Sequence, residues 1–144
     1  MSLERDVRAV LLNYELVDEF TPWNIPAGST QSKTKTGFGV IYGVWLRYTG
    51  CDCGHQPKVT LKIDDFRSLV FDCQKLDDLF WGAQYITPLF GVPKRDSGGN
   101  AYSQYWILPK PVMYREKVEV EIENRDGTNT LNMEMLALMA DVRE

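Results

Sequence analysis

The residues of this chain that could most readily do chemistry lie in the stretch "TGCDCGHQPK". Cys51, Cys53 and His55, the only histidine, fall within five positions, and Cys73 follows. Thiolates and imidazole are ligands that zinc prefers, and four of them would complete a tetrahedral site. Structural zinc loops usually space two cysteines as C-x₂₋₄-C, whereas here a single residue separates them. We therefore predict no metal and no cofactor, with a reduced loop and with Cys73 packed as a small apolar side chain.

Acid–base or nucleophilic catalysis is the second chemistry to consider. It needs a base, a nucleophile and an orienting group, and a Cys–His pair could be built only around His55. No nucleophile elbow, phosphate-binding loop or dinucleotide-binding motif occurs. The acidic pairs Asp64–Asp65 and Asp77–Asp78 are predicted to be structural, the second at the start of a short helix, where acids favour the helix dipole. We predict that the protein is not an enzyme.

Aromatic residues in or beside the long loops are the candidate binding residues. They are Trp81, Tyr85, Tyr102, Tyr105 and Trp106. Flat rings offer a large contact area at low entropic cost, which suits a glycan or a protein partner. The alternative is that these rings fill the ends of the domain.

Composition restricts the partners and the compartment. Sixteen basic and twenty acidic residues give a net charge of −4, so no broad basic surface is available for nucleic acid or anionic membranes. The sequence shows neither a signal peptide nor an apolar run of membrane-spanning length. Three cysteines and no N-x-Ser/Thr sequon are typical of a protein made in a reducing cytoplasm.

The elements that must position these residues begin with an amphipathic segment at 2–20. Apolar residues recur at alternating spacings of four and three, which predicts a helix. They are Leu3, Val7, Val10, Tyr14 and Val17. A strand over about 10–17 is the competing prediction. We divide the chain into this arm, residues 1–20, and one domain, residues 21–144.

After the arm the apolar period changes to two. In "GFGVIYGVWLRYTG" the alternate residues Phe38, Val40, Tyr42, Val44, Leu46 and Tyr48 are predicted to share one face of a strand. "PKVTLKIDD" and "FRSLVFDC" are predicted strands, and "KLDDLFWG" a single helical turn. In "EKVEVEIEN" apolar residues alternate with glutamates, so its register is firmly specified.

The C-terminal part contains a predicted hairpin and a predicted loop region. Asp126-Gly127 is a strong hairpin signal, with "TLNMEMLAL" as the partner strand and Leu131, Met133 and Met135 opposite the preceding strand. A helix over 130–142 is the competing prediction, since Leu131, Met135, Leu138 and Val142 also fit period 3.6. The region between Ile86 and Glu116 has four prolines and is predicted to be long loops with short extended pieces at a sheet edge.

Many short antiparallel strands bury their alternating faces best as two packed sheets. The fold class is therefore predicted to be mainly all-β, an antiparallel β-sandwich with an N-terminal amphipathic helix or arm.

Several of these segments resemble a group of small tailed-phage virion proteins. "WILPKPV", "VEVEIEN" and "LNMEMLAL" match a Pro-rich step, a V-x-V-x-I/L-x-N strand and a last apolar strand of that group. "WNIPAGSTQ" and "GFGVIYGVWLRYTG" are similar to its first two strands, so the resemblance spans 21–142. It implies a jelly-roll-like, usually homo-oligomeric structural protein of a phage particle that contacts other virion proteins. The virion would be its location, as a head-decorating, head-fibre or tail-associated component.

Overall fold

Strands dominate the computed structural model, which describes residues 15–51, 54–81, 83–96, 98 and 100–143. The described residues form eleven strands and one helix. In chain order these are β1 (Glu15–Val17), β2 (Trp23–Ile25), β3 (Thr30–Thr36), β4 (Phe38–Thr49), β5 (Lys58–Ile63), β6 (Arg67–Asp72), α1 (Cys73–Leu79), β7 (Tyr85–Ile86), β8 (Phe90–Asp96), β9 (Ala101–Tyr114), β10 (Lys117–Glu123) and β11 (Leu131–Arg143).

The strands form two antiparallel sheets. The larger sheet has the order β1-β11-β4-β9-β8-β7, with β2 also paired to β11, and the smaller one has the order β3-β10-β5-β6. Within them β2 pairs with β11, β3 with β10, β4 with β9 and β5 with β6. Such nested pairs arise when one long hairpin rolls up into two layers, which is the connectivity of a jelly roll. The predicted all-β, jelly-roll-like sandwich is confirmed.

The core lies between the two sheets, as the alternating patterns predict. On β5 the side chains of Val59, Leu61 and Ile63 are buried, and the apolar residues of β10 face the same way. The glutamates of β10 point outward, where Lys62 lies 2.7 Å from Glu121. A slip of one residue would exchange these two faces, so the burial pattern selects this register.

Strand β4 changes face part-way along its length, which the sequence pattern did not predict. Val44, Leu46 and Tyr48 are buried as expected, but Phe38 is 46% exposed. Ile41 is buried, whereas Val40 and Tyr42, which were predicted to face inward, are only partly buried. The ladder to β9 shifts register between Ile41 and Gly43. A β-bulge of this kind reverses the alternation of side chains, so the prediction is wrong for the first half of the strand.

The proline-rich region is a strand inside the larger sheet rather than a loop at its edge. Strand β9 lies between β4 and β8, which corrects the prediction for residues 101–114. The pairs Ile41–Val112 and Gly43–Ile107 flank the bulge. Only Tyr42 lies between them on β4, whereas the four residues 108–111 lie between them on β9. Pro109 and Pro111 lie in this excess length, where the ladder requires no backbone donor.

The last two strands do not form a hairpin, because β10 belongs to the smaller sheet and β11 to the larger one. Asp126 instead shapes a crossing loop: its Oδ1 accepts hydrogen bonds from the N–H groups of Thr128 and Asn129. The strand prediction for 130–142 is confirmed against the helical alternative. The ladder with β4 shifts register between Met133 and Met135, and Met135 is 37% exposed.

The N-terminal arm is only partly described. Residues 15–17, predicted to be helical, are strand β1 and pair with residues 138–140 of β11. This agrees with the competing strand prediction at those positions. Residues 18–20, which also belong to the predicted helix, are not helical, and its remaining residues, 2–14, lie outside the described residues. Along the described chain, no helix is long and apolar enough to cross a membrane.

Candidate functional site

The candidate metal ligands that the structure describes lie in different environments. Cys51 and Cys73 are buried, His55 is exposed, and Cys53 lies outside the described residues. The thiol of Cys51 lies 3.8 Å from the Asn124 side-chain oxygen. Burial raises the pKa of the Cys73 thiol far above its ordinary value, so this thiol stays protonated and is a poor ligand. Among the described residues, no three His, Cys, Asp or Glu side chains form a group that could hold a metal.

A buried polar network occupies the place where Cys73 lies. The Tyr48 hydroxyl donates to Gln56 Oε1 at 2.5 Å, and Gln56 Nε2 donates to Asp77 Oδ2 at 2.9 Å. Gln104 Nε2 donates to the Cys73 carbonyl oxygen at 3.0 Å. Burial raises the pKa of Tyr48 well above its ordinary value, so its hydroxyl remains a neutral donor. The network joins β4 and β9 to helix α1.

Asp77 is the charged member of this network and corrects the sequence prediction. It is 1% exposed and lies in the last turn of α1, not at the start of a helix. Arg95 of β8 donates from Nε to Asp77 Oδ1 at 3.0 Å. Burying this carboxylate is tolerated because it is both paired and hydrogen-bonded. Helix α1 is thereby attached to the larger sheet, although it follows a strand of the smaller one.

The N-terminus of α1 is held by a second ion pair. Asp72 caps the helix by accepting from the Lys75 N–H at 3.1 Å, and both guanidinium NH groups of Arg125 donate to its carboxylate. Burial alone raises the pKa of Asp72, but the hydrogen bonds from Arg125 and Lys75 outweigh it and bring the pKa below its ordinary value. Asp72 is therefore stabilised in its charged form.

We expect Asp72→Asn to lower the free energy of unfolding by about 1–2 kcal/mol at pH 7, because asparagine keeps the cap but loses the ion pair. A depressed pKa stabilises the fold above the unfolded value of about 3.9 and ceases to do so as the pH falls through the folded value. Urea unfolding should therefore separate wild type from Asp72→Asn between pH 5 and 8, and the gap should close below pH 4. The exposed Asp65→Asn is the control; a gap that persists in acid would contradict the assignment.

The outer side of α1 borders an open apolar depression, here called the flank groove. It is lined by Asp72, Lys75, Leu76, Leu79, Phe90 and Trp106, and its volume is about 380 Å³. The Trp106 ring packs on Phe71 with centroids 5.2 Å apart, which fixes the floor of the groove. Beside it, Phe80 stacks on Tyr85 with centroids 4.6 Å apart. A cavity of this size accepts a few apolar side chains or a small ligand.

The five predicted binding aromatics are divided by the structure. Tyr102 is buried and stacks on Tyr48, and Tyr105 is buried and stacks on Trp45. These two belong to the protein interior, which corrects their prediction as surface contacts. Trp106 is half-buried in the flank groove, while Trp81 and Tyr85 are exposed nearby in sequence. Of the five predicted residues, only Trp81, Tyr85 and Trp106 are therefore accessible at the surface.

Trp81 has an unusual backbone and an unusual environment. Its φ is +56° and its side chain is 97% exposed. The left-handed region costs a non-glycine residue about 1–2 kcal/mol, and an exposed indole recovers none of this by burial. The conformation and exposure of Trp81 therefore do not themselves favour the fold.

Sequence reasoning missed Leu76, Leu79 and Phe90, which line the groove, and the buried role of Asp77. One signal was present. Cys73, Leu76 and Asp77 lie at i, i+3 and i+4, the spacing of one helical face. An acid on that face indicates a buried, paired carboxylate rather than a solvated one.

Comparison of the chain with known protein families and with curated proteins finds no match in either case.

Proposed function

We propose that the protein is a non-enzymatic structural protein of a phage or prophage particle, a head-decorating, head-fibre or tail-associated component. It would be made in the bacterial cytoplasm and incorporated into the virion. The jelly-roll connectivity and the sequence resemblance described above support the proposal. The observation that carries it is the apolar flank groove and the exposed apolar residues around it.

Several exposed apolar residues lie at the end of α1, on β7 and just before β8. Leu79 is 60% exposed and Ile86 is 68% exposed, and Tyr85 and Leu89 are also largely exposed. Single exposed apolar residues are ordinary, but a group of them beside an apolar groove marks a contact surface. A homo-oligomer or a particle containing other virion proteins would cover this surface.

The proposal is tested on particles purified from the bacterium that carries the gene. We expect mass spectrometry to find this chain at a fixed copy number relative to the other particle proteins, and to find it still after washing in high salt. An abundant host cytoplasmic protein, followed through the same gradient, is the control for carry-over. Recovery of the chain only in the soluble fraction would contradict a structural role in the virion.

Glycan or receptor binding is the second candidate, and the conformation of Trp81 is the observation that favours it. Stacking on a sugar ring needs an accessible aromatic face, which this side chain offers.

We expect Trp81→Gly to raise the free energy of unfolding by up to about 1 kcal/mol, because glycine relieves the left-handed strain. In the same protein, binding on a glycan array should be lost. Phe66→Ala removes another exposed ring, 80% accessible and on the β5–β6 turn, and should leave binding unchanged. Absence of any glycan signal for wild type, or equal signals for wild type and Trp81→Gly, would remove this candidate.

A further inference from the structure

We propose that the flank groove receives the Trp81 side chain of a second copy of the chain, in a two-fold dimer where each copy supplies one groove and one indole. The inference rests on the proposed assembly function and names the contact that holds two copies together. Trp81 follows Leu79, a lining residue of the groove, by two positions. A two-fold interface joins the same patch of both copies, so an inserting side chain and its receptor must share one patch, as these do.

The groove is a preformed receptor for one large ring. Leu76 is buried beneath it, and Phe90 and Trp106 are part of its lining. Its volume of about 380 Å³ is within the range of sites that take small aromatic ligands. The Trp81 side chain is 97% exposed, so it does not occupy the groove of its own chain. A tryptophan placed in a pocket is a common anchor of protein interfaces.

Charges on α1 are complementary to those of a second α1. Lys75 and Asp78 are both exposed on this helix. Among the described side chains Lys75 forms no ion pair, and Asp78 accepts only a hydrogen bond from Gln74. When two copies of α1 lie antiparallel across a two-fold axis, Lys75 of each copy can face Asp78 of the other. The symmetry then forms this charge pair twice, which orients the two copies.

The same arrangement delivers the indole to the groove. Along two antiparallel helices, each step toward the C-terminus of one is a step toward the N-terminus of the other. If Lys75 faces Asp78 of the second copy, Trp81 lies beside Asp72 of that copy. Asp72 lines the groove, and the preceding residue, Phe71, packs on Trp106 with centroids 5.2 Å apart. The charges and the indole therefore agree on one arrangement.

The surface around the groove suits burial against a second copy. Residues 79–93 contain no charged side chain, in a chain of which 25% is charged, so covering them leaves no charge unpaired. Phe80 stacks on Tyr85 and lies 6.0 Å from Phe90, which joins this segment to the groove. Its large exposed residues are Leu79, Trp81, Tyr85, Ile86 and Leu89. They expose on the order of 600 Å² per copy, given up to about 250 Å² for a full aromatic side chain. Two copies reach about 1,200 Å², the lower end for a stable interface.

Charge reversal on the full chain tests the arrangement by analytical ultracentrifugation. Lys75→Glu and Asp78→Lys should each raise the dimer dissociation constant at least fivefold, because each sets like charges against each other twice. An equimolar mixture of the two variants should dimerise within twofold of wild type, since every acid then faces a base. Damage to the fold could not be reversed by mixing. Arg67→Glu, at the other end of β6, is the control for a reversed charge and should leave the constant unchanged.

The indole is tested by its removal and by photo-crosslinking. Trp81→Ala should raise the dimer dissociation constant at least tenfold, whereas Phe66→Ala, which removes another exposed ring, should leave it unchanged. For the cross-link, p-benzoylphenylalanine replaces Trp81, and ¹⁵N-labelled and unlabelled chains are mixed before irradiation. We expect peptides that join a light and a heavy chain and contain α1, Phe90 or Trp106. The same photoreactive residue in place of Phe66 should give at least fivefold fewer of them.

Other outcomes overturn the inference in distinguishable ways. A wild type that stays monomeric at every concentration, or a mixture that associates no better than the single variants, would contradict the two-fold contact. Flotation of a monomeric wild type with phosphatidylcholine vesicles, lost in Trp81→Ala, would assign the indole to a lipid surface instead. In each case recovery of the chain from purified particles remains a separate measurement, which decides the proposed function.

Discussion

Gly50→Ala is expected to lower the free energy of unfolding by about 3–4 kcal/mol, the loss measured by urea denaturation. Gly50 has φ +98° where β4 leaves the larger sheet, a conformation that costs any other residue strain. An added Cβ would also overlap the carbonyl oxygen of Thr130, which belongs to the backbone immediately before β11. A backbone group cannot rotate away as a side chain can, so the strands themselves would have to move.

The matched control is Gly54→Ala. Gly54 has nearly the same φ, +100°, but an added Cβ would meet no atom within 4 Å. This variant should lose only the conformational part, about 1–2 kcal/mol. The difference between the two variants measures the overlap with Thr130, and equal losses would show that the two chain segments are not in contact there.

The second large effect is expected for Asp77→Ala, a loss of about 3 kcal/mol in the free energy of unfolding. The change leaves Gln56 Nε2 and the Arg95 guanidinium without their shared acceptor. Removing one partner of a buried ion pair typically costs 3–5 kcal/mol. We place this site at the lower end because the Arg95 side chain is 19% exposed and can recover some hydration.

Asp78→Ala is the control, since this neighbouring carboxylate is exposed and accepts only a hydrogen bond from Gln74 among its described contacts. Its effect should stay within about 0.5 kcal/mol. Combining Asp77→Ala with Arg95→Met should cost less than the sum of the two single changes, because both remove the same ion pair. Strict additivity would mean that the pair contributes nothing as a pair.

The Asp77 network also bears on the proposed function. If it holds α1 as a rigid wall of the flank groove, Asp77→Ala should weaken self-association as well as stability. Contact surfaces bind best when their supporting side chains are already ordered. Both groups of residues would then serve self-association. The buried polar residues would hold the contact surface in place, and the exposed apolar residues would form it.

The strands with strict alternation were predictable because the pattern that decides which side chains are buried lies within the strand itself. Along β5 and β10, every second residue is apolar, and only one register buries all of them. The proline-rich strand β9 was not predictable, because its prolines are tolerated only by a bulge formed with β4. That bulge depends on residues more than sixty positions away in the chain.

At the Asp126-Gly127 turn, too, the local signal was correct and the pairing that it was taken to imply was not. A turn signal specifies that the chain reverses or bends, and it says nothing about whether the next strand stays in the same sheet. Here the following strand crosses to the other layer, because β11 is needed between β2 and β4. The predictions for the candidate binding residues were the least accurate, because the exposure of an aromatic side chain depends on which sheet packs over it.

Local periodicity was thus enough to establish an antiparallel two-layer fold and the inward faces of its regular strands, because alternating side chains can be satisfied in few ways. The bulges, the pairing of distant strands and the burial of Tyr102, Tyr105 and Asp77 required the assembled molecule. They depend on contacts between segments far apart in the chain, whose energies no short window of residues contains.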